Sequence, residues 1–376
     1  MTSLFNNYAR RAVHLVKGQG TIVTDDKGKE YLDFTSGIAV VSLGHAHPAI
    51  VKALQEQSEK LWHISNLFES PEQEKLAESL TKHTDLSYAL FCNSGAEANE
   101  AAIKLARKHT GKHLILTFKQ SFHGRTFGAM SATGQDKIQA GFGPMLESFE
   151  ALPFNDVTAL KQAVNGNVAA IMLEVIQAEG GVNSVEPAFA EEIMEACREH
   201  GILLIIDEVQ TGIGRTGTRY AYEQTALKPD IISLAKGLGG GFPIGALLTG
   251  EKFFDTFGPG SHGTTFGGNP LAVSVAQTVV DHVFDPAFLK NVQEHAAYLK
   301  KQLQAELPGG KYTVRGNGLL IGIHSSKEIG PYIQEAEKQG LLLVPAGTHV
   351  IRLLPPLTVS KEEIDQAVAI LKNVLT

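Results

Sequence analysis

Between Tyr88 and Thr249 the chain is a succession of strand-length apolar runs separated by amphipathic stretches. The runs are Tyr88–Cys92, Leu114–Phe118, Val168–Leu173, Ile202–Ile206, Ile231–Leu234 and Gly245–Thr249. A strand with one face in water alternates apolar and polar residues, whereas a near-continuous apolar run must be covered on both faces. Such strands alternating with helices predict an α/β fold around a parallel, doubly covered sheet. The flanks read differently. Residues 20–34 have a two-residue period around Asp26-Lys27-Gly28-Lys29, a hairpin signal. A helix is expected after Pro48, with Ile50, Leu54 and Leu61 on one stripe. Beyond Leu271 helices dominate, with short strands near residues 319–323 and 349–353 and a last amphipathic helix from Lys361. The expected organisation is a large α/β domain over 55–270 and a smaller α+β domain assembled from 1–54 and 271–376.

Composition narrows the function classes. The 376 residues are 43% hydrophobic and 19% charged, as in ordinary globular proteins. The net charge of −7 with no basic block argues against nucleic acid as a partner. No uncharged run is long enough to span a membrane, so no membrane partner is expected. Met1-Thr2-Ser3-Leu4-Phe5-Asn6-Asn7 lacks the apolar core of a secretory signal. Cys92 and Cys197 form no CxxC pair, which suits a reducing cytosol and argues against disulfides or structural zinc.

Two apolar runs lead into charged residues. Residues 202–206 run into Asp207 and Glu208, and 231–235 run into Lys236, followed by Gly237-Leu238-Gly239-Gly240-Gly241. Ligands of open α/β sheets collect at strand ends. A lysine amine able to form a Schiff base and an acid able to hold a pyridine nitrogen protonated are the two groups a pyridoxal phosphate enzyme requires. Alone, Asp207 reads as a helix-capping acid and Lys236 as a solvated lysine. Their joint occurrence on neighbouring strand ends is much rarer by chance. Phe91-Cys92-Asn93-Ser94-Gly95-Ala96 is a strand, a tight turn and a helix start, where free N–H groups and the helix dipole suit a phosphate; Ser94 alone reads equally as an N-cap. Phe122 could lie flat on an aromatic cofactor or sit in the core, and Arg125 could clamp a carboxylate or be a surface charge. Gly111-Lys112 is no Walker motif, and the glycines after Lys236 fail the dinucleotide fingerprint at its last position. His45 and His47 lack a third ligand, so no metal is expected.

Together these segments resemble a known family. Ser94-Gly95-Ala96-Glu97-Ala98-Asn99-Glu100, Ser121-Phe122-His123-Gly124-Arg125-Thr126, Asp207-Glu208-Val209-Gln210-Thr211-Gly212, Lys236-Gly237 and Gly263-Thr264-Thr265-Phe266-Gly267-Gly268-Asn269-Pro270 are similar to the signature blocks of class III, ornithine-type pyridoxal phosphate aminotransferases. The blocks come in family order from about Gly20 to Pro356. The resemblance implies fold type I: a mostly parallel seven-stranded sheet sandwiched by helices, plus a small α+β domain. It also implies a cytoplasmic homodimer with shared active sites. Residues 34–40, 43–48 and 62–68 are most similar to the acetylornithine branch of the class. Ornithine-specific members carry a Tyr where this chain reads Ser36-Gly37-Ile38, a departure that counts against free ornithine.

Roles follow from the resemblance. Lys236 would bond the cofactor and shuttle the proton, and Asp207 would pair with the pyridine nitrogen. Ser94, Gly95 and Ala96 would hold the phosphate. Phe122 and Val209 would flank the ring, Gln210 would bond its hydroxyl, and Glu208 would complete the cofactor set. Thr265 would reach the phosphate of the partner subunit, with Thr264 beside the substrate. Arg125 would clamp the acetylornithine carboxylate. Arg352 would take the second carboxylate of glutamate or 2-oxoglutarate, with Glu179 as its switching partner. The implied activity moves the terminal amino group of N2-acetylornithine to 2-oxoglutarate, in arginine biosynthesis. Succinyl-diaminopimelate, 4-aminobutyrate and ornithine stand as alternative donors, and a non-catalytic pyridoxal phosphate-binding regulator as an alternative class.

Overall fold

The computed structural model describes residues 3–376. Met1 and Thr2, part of the segment read for a secretory signal, lie outside the described residues. The centre is a seven-stranded sheet of β1 (Tyr88–Cys92), β2 (Leu114–Phe118), β3 (Phe149–Leu152), β4 (Val168–Leu173), β5 (Leu203–Asp207), β6 (Ile231–Leu234) and β7 (Gly245–Thr249). Their spatial order is β1-β7-β6-β5-β4-β2-β3. β4, β5, β6 and β7 are buried along their whole length, as continuous apolar runs require. Truncating one of their Leu or Ile side chains to Ala would cost about 2–5 kcal/mol.

Three details depart from the sequence reading. β7 runs antiparallel to both neighbours, β6 and β1. An apolar run buried on both faces carries no sign of its direction, so its sequence pattern reads the same either way. β3 has no continuous apolar run, with Glu150 and Ala151 exposed on this edge strand. The helix after Pro48 ends at Ser58, and Leu61 lies beyond it, exposed.

The smaller sheets join the ends of the chain. Leu15–Gln19, Ile22–Asp25 and Glu30–Asp33 form antiparallel strands, with the Asp26–Lys29 turn between the last two. Glu30–Asp33 then pairs in parallel with Leu341–Leu342, so the N-terminal strands close onto the C-terminal third. A second sheet joins Tyr312–Asn317, Leu320–Ser325, Val350–Leu353 and Val344–Pro345. His45 Nε2 lies 2.7 Å from Asp33 Oδ2, binding the loop before Pro48 to this region.

Candidate active site

The carboxyl ends of the parallel strands converge on one cavity of about 420 Å³. β5 and β6 are parallel neighbours, with Asp207 opposite Ser233. That register delivers Asp207 and Lys236 to the same rim, and both line the cavity. Lys236 opens a short 3-10 turn, Lys236–Gly239, at φ 41°, a left-handed conformation that costs a non-glycine residue about 1 kcal/mol or more. Nothing in the local sequence requires that conformation; the glycines after it let the chain turn away and leave the amine facing the cavity. Burial lowers the Lys236 pKa and Arg352 adds to this, against the opposing charges of Glu179, Asp207 and Glu174. Its Nζ has no hydrogen-bond partner among the described residues.

Asp207 is held from three sides. Oδ1 accepts from Val209 N–H at 3.0 Å, while Oδ2 accepts from Asn99 Nδ2 at 2.8 Å and lies 2.8 Å from His123 Nδ1. Burial disfavours a charged His123 ring, but the hydrogen bond and charge of Asp207 outweigh it and raise the pKa. His123 Nε2 and Asn99 Oδ1 are buried without partners.

At the cavity's other end β1 gives way to α1 (Gly95–Thr110). Ser94 is extended and its Oγ accepts from Glu97 N–H at 3.2 Å, a capping bond that fixes where the helix starts. The N–H groups of Gly95 and Ala96, in the first turn, take no acceptor from the chain and line the cavity. A Cβ on Gly95 would meet Val209 Cγ1 at 2.7 Å and Cγ2 at 2.8 Å. The stiff Val209 side chain can yield only by moving within the cavity it lines. Gly95→Ala is therefore expected to weaken cofactor binding about tenfold or more, an overpacking cost of about 1–3 kcal/mol. Equilibrium dialysis of the apoenzyme checks this, and unchanged affinity would refute it.

Of the residues expected at the site, the fold brings Ser94, Gly95, Ala96, Phe122, Arg125, Asp207, Val209, Gln210 and Lys236 to this cavity. The Arg125 guanidinium stands 5.6 Å over the Phe122 ring. Glu208 is a correction. It is buried away from the cavity, where it accepts from Thr211 Oγ1 and Tyr222 N–H. Successive side chains at a strand end point to opposite faces, so Asp207 and Glu208 cannot both face the ligand.

Glu179 and Arg352 form an ion pair just behind the wall, with Arg352 Nη1 2.8 Å from Glu179 Oε1 and 2.9 Å from Gln210 Oε1. Gln210 thus bonds Arg352 while lining the cavity. The Arg352 side chain is 1% exposed against 29% for Glu179, so the acid is the partner with room to move. Burial works against a charged Glu179, but the charge and hydrogen bond of Arg352 outweigh it and lower the pKa. Thr264 and Thr265 do not reach their own chain's cavity: Thr264 Oγ1 accepts from Asn93 Nδ2 at 3.0 Å, and Thr265 is exposed. The Ser36-Gly37-Ile38 loop continues to Ala39 as a left-handed turn with φ of 48°, 64°, 67° and 61°. It is pinned by Ser36 Oγ donating to Leu354 O at 2.6 Å, and the next residue, Val40, lines the cavity.

The cavity lining also includes Asn99, His123 and Glu174, polar residues given no role from the sequence. Glu174 directly follows β4, the same strand-end position that drew attention to Asp207. His123 lies inside the Phe122–Thr126 block, between the aromatic and cationic residues that carry its stronger signals.

The class-III aminotransferase family model matches residues 5–375. The chain belongs to that family. The acetylornithine aminotransferase of Bacillus cereus is 56% identical over 378 residues, covering 100% of this chain and 98% of the relative. The N-acetylornithine aminotransferase structure from Stenotrophomonas maltophilia is 39% identical with a TM-score of 0.84, covering 98% of this chain and 96% of that one. An ornithine aminotransferase from Toxoplasma gondii, described with partial occupancy of pyridoxal phosphate at its active site, is 33% identical with a TM-score of 0.94, covering 99% and 92%. The cofactor of this class-III aminotransferase is pyridoxal phosphate, and the cavity fits it: unpaired first-turn N–H groups for a phosphate, a fixed buried carboxylate, and an unpaired buried amine.

Proposed function

We propose that this aminotransferase moves the terminal amino group of N2-acetyl-L-ornithine to 2-oxoglutarate, giving N-acetyl-L-glutamate 5-semialdehyde and L-glutamate, as in arginine biosynthesis. The observation that carries the substrate reading is the Glu179–Arg352 pair beside a cavity that also holds Arg125. Such a site must hold an amino donor with one carboxylate and a neutral acyl end, then a partner with two carboxylates. The name of the Bacillus cereus relative supports the same donor.

Bound pyridoxal phosphate supplies an aldehyde that condenses with amines and a ring that takes up electrons from the broken C–H bond. The chain's residues do the rest. Gly95 and Ala96 N–H groups, with Ser94, bind the phosphate at the start of α1. Phe122 and Val209, which line the cavity, would pack against the ring. The Asp207 carboxylate, oriented by Asn99 and His123, keeps the pyridine nitrogen protonated. Lys236 Nζ, with its lowered pKa, would accept the proton from the substrate carbon and return it across the bridging nitrogen, two atoms away. Arg125 would clamp the acetylornithine carboxylate so that the carbon bearing the terminal amine lies within reach of Lys236.

Glu179 neutralises Arg352 while acetylornithine reacts, and releases it when glutamate brings a second carboxylate, because a buried unpaired guanidinium is costly. Glu179→Ala is expected to slow the acetylornithine half-reaction about tenfold or more while sparing that of glutamate. Stopped-flow measurement of each half-reaction checks this, and equal loss in both would sink the switch. Comparing kcat/KM for acetylornithine, ornithine, succinyl-diaminopimelate and 4-aminobutyrate tests the donor: acetylornithine is expected to lead, and a preference for 4-aminobutyrate would overturn the assignment.

The enzyme works as a homodimer in this reading, with Thr265 of each subunit at the other's phosphate. Support comes from exposed Phe266 beside Thr265, and from exposed Leu61, Trp62, Leu67 and Phe68 on a segment whose Asn66 bonds the Thr264 and Gly267 carbonyls and whose His63 ring lies 5.3 Å from Phe266. The cytoplasm is the setting proposed, in keeping with two cysteines left unpaired. No helix among the described residues is long and apolar enough to cross a membrane.

A further inference from the structure

The cavity floor contains a carboxyl group that the mechanism above does not use. Glu174, 5% exposed, lines the cavity. Its Oε2 accepts from Phe122 N–H at 3.0 Å, and no other described residue bonds the carboxyl. The charged groups acting on it are His123, Asp207 and Lys236. Asp207 and His123 already form a close buried pair. A second ionised carboxylate beside that pair would be a buried charge without a hydrogen-bonded counterion, which a protein avoids by keeping the acid protonated.

We propose that Glu174 works as a neutral carboxylic acid, a positioning residue whose carbonyl oxygen holds the Phe122 backbone while its hydroxyl serves a hydrogen-bond acceptor in the cavity. The electrostatics agree with the geometry. Burial pushes the Glu174 carboxyl up to about 7, with His123 opposing and Asp207 reinforcing. Below that pH the acid is neutral. Above it a negative charge develops on the floor that Lys236 shares, stabilising any positive charge at the lysine nitrogen.

A glutamine reproduces the neutral form at every pH, since its carbonyl accepts and its amide donates. Two readouts test the assignment: cofactor affinity by dialysis of the apoenzyme at about pH 6, and the pH titration of the bound-cofactor absorbance. Glu174→Gln is expected to bind cofactor within about twofold of wild type, with its spectral midpoint lowered by at least about half a pH unit. Glu174→Ala, which frees the Phe122 N–H, is expected to bind about tenfold more weakly. If Glu174→Gln binds as poorly as Glu174→Ala, the carboxylate charge is what matters and the proposal fails. An unchanged midpoint also overturns it. Should Glu174→Ala not fold, a large affinity loss in Glu174→Gln is itself the refuting result. The spectral arm rests on Lys236 as the cofactor lysine. Failure of that assignment would show as a wild-type absorbance that does not titrate, and the dialysis arm would still judge Glu174.

Discussion

Lys236→Ala is expected to abolish transamination, lowering the rate of both half-reactions by at least about 10⁴-fold. No other amine among the cavity-lining residues could replace it. The loss would be chemical rather than structural. Alanine at φ 41° keeps a strain of about 1 kcal/mol that the lysine already carries. Removing a buried amine also removes a desolvation cost, so the variant should fold with the floor and helix start in place. Cofactor should remain bound through Gly95, Ala96 and Asp207 but exchange freely on dialysis. Lys236→Arg should fail as well, because a guanidinium stays protonated and cannot cycle a proton. Single-turnover absorbance measurements with acetylornithine decide the matter. Residual activity within a hundredfold of wild type would remove Lys236 from its assigned role.

Asp207→Ala should cost both stability and turnover. Its carboxylate is the shared acceptor for Val209 N–H, Asn99 Nδ2 and His123 Nδ1, all in or beside the cavity. Removing one member of a buried charged pair costs about 3–5 kcal/mol, and urea unfolding at mildly acidic pH should show a loss of that order. The loss depends on pH in a defined direction. The His123 pKa is raised in the folded protein, so the pair's titrating contribution is fully present below the ordinary histidine pKa. It fades as pH rises through the raised value, and the difference between wild type and Asp207→Ala should narrow accordingly. Turnover should fall about 10³-fold or more at all pH values, since the pyridine nitrogen loses its counterion. A variant that keeps cofactor and wild-type turnover would contradict the role given to Asp207.

How far the sequence could be read depended on how local each signal was. The continuous apolar runs marked six of the seven central strands, most clearly β4 to β7, where burial on both faces leaves its trace in every residue. β3 escaped because Phe149–Leu152 makes no continuous apolar run, with Glu150 and Ala151 exposed. Asp207 and Lys236 were legible as charged residues closing buried strands. Glu174 stands in the same relation to β4, but nothing in its immediate neighbours suggests a ligand. Its importance comes from Phe122 and His123, which are distant in sequence and are brought to it by the neighbouring strand β2. Glu208, next to Asp207 in sequence, turns away from the cavity because successive side chains at a strand end point to opposite faces. The left-handed turn at Ser36–Ala39 had no sequence signal beyond Gly37, since three of its four residues are ones that rarely adopt that conformation.

The reversed direction of β7 bears on which loops can change length. Lys236 leaves the sheet at the end of β6, and Gly245 re-enters it at the start of β7, at the same rim. Both ends of 237–244 are therefore fixed, and Gly245 is fixed closely: a Cβ there would lie 2.5 Å from Ser94 O, at the start of α1. The segment is a short bridge between the amine and the phosphate-facing turn, and it sets their spacing. An inserted residue before β3, at the far edge of the sheet, where residues 141–144 are exposed, has open solvent to bulge into. One inserted in 237–244 would have to move either the lysine or the helix start, so this stretch acts as the gauge block of the site.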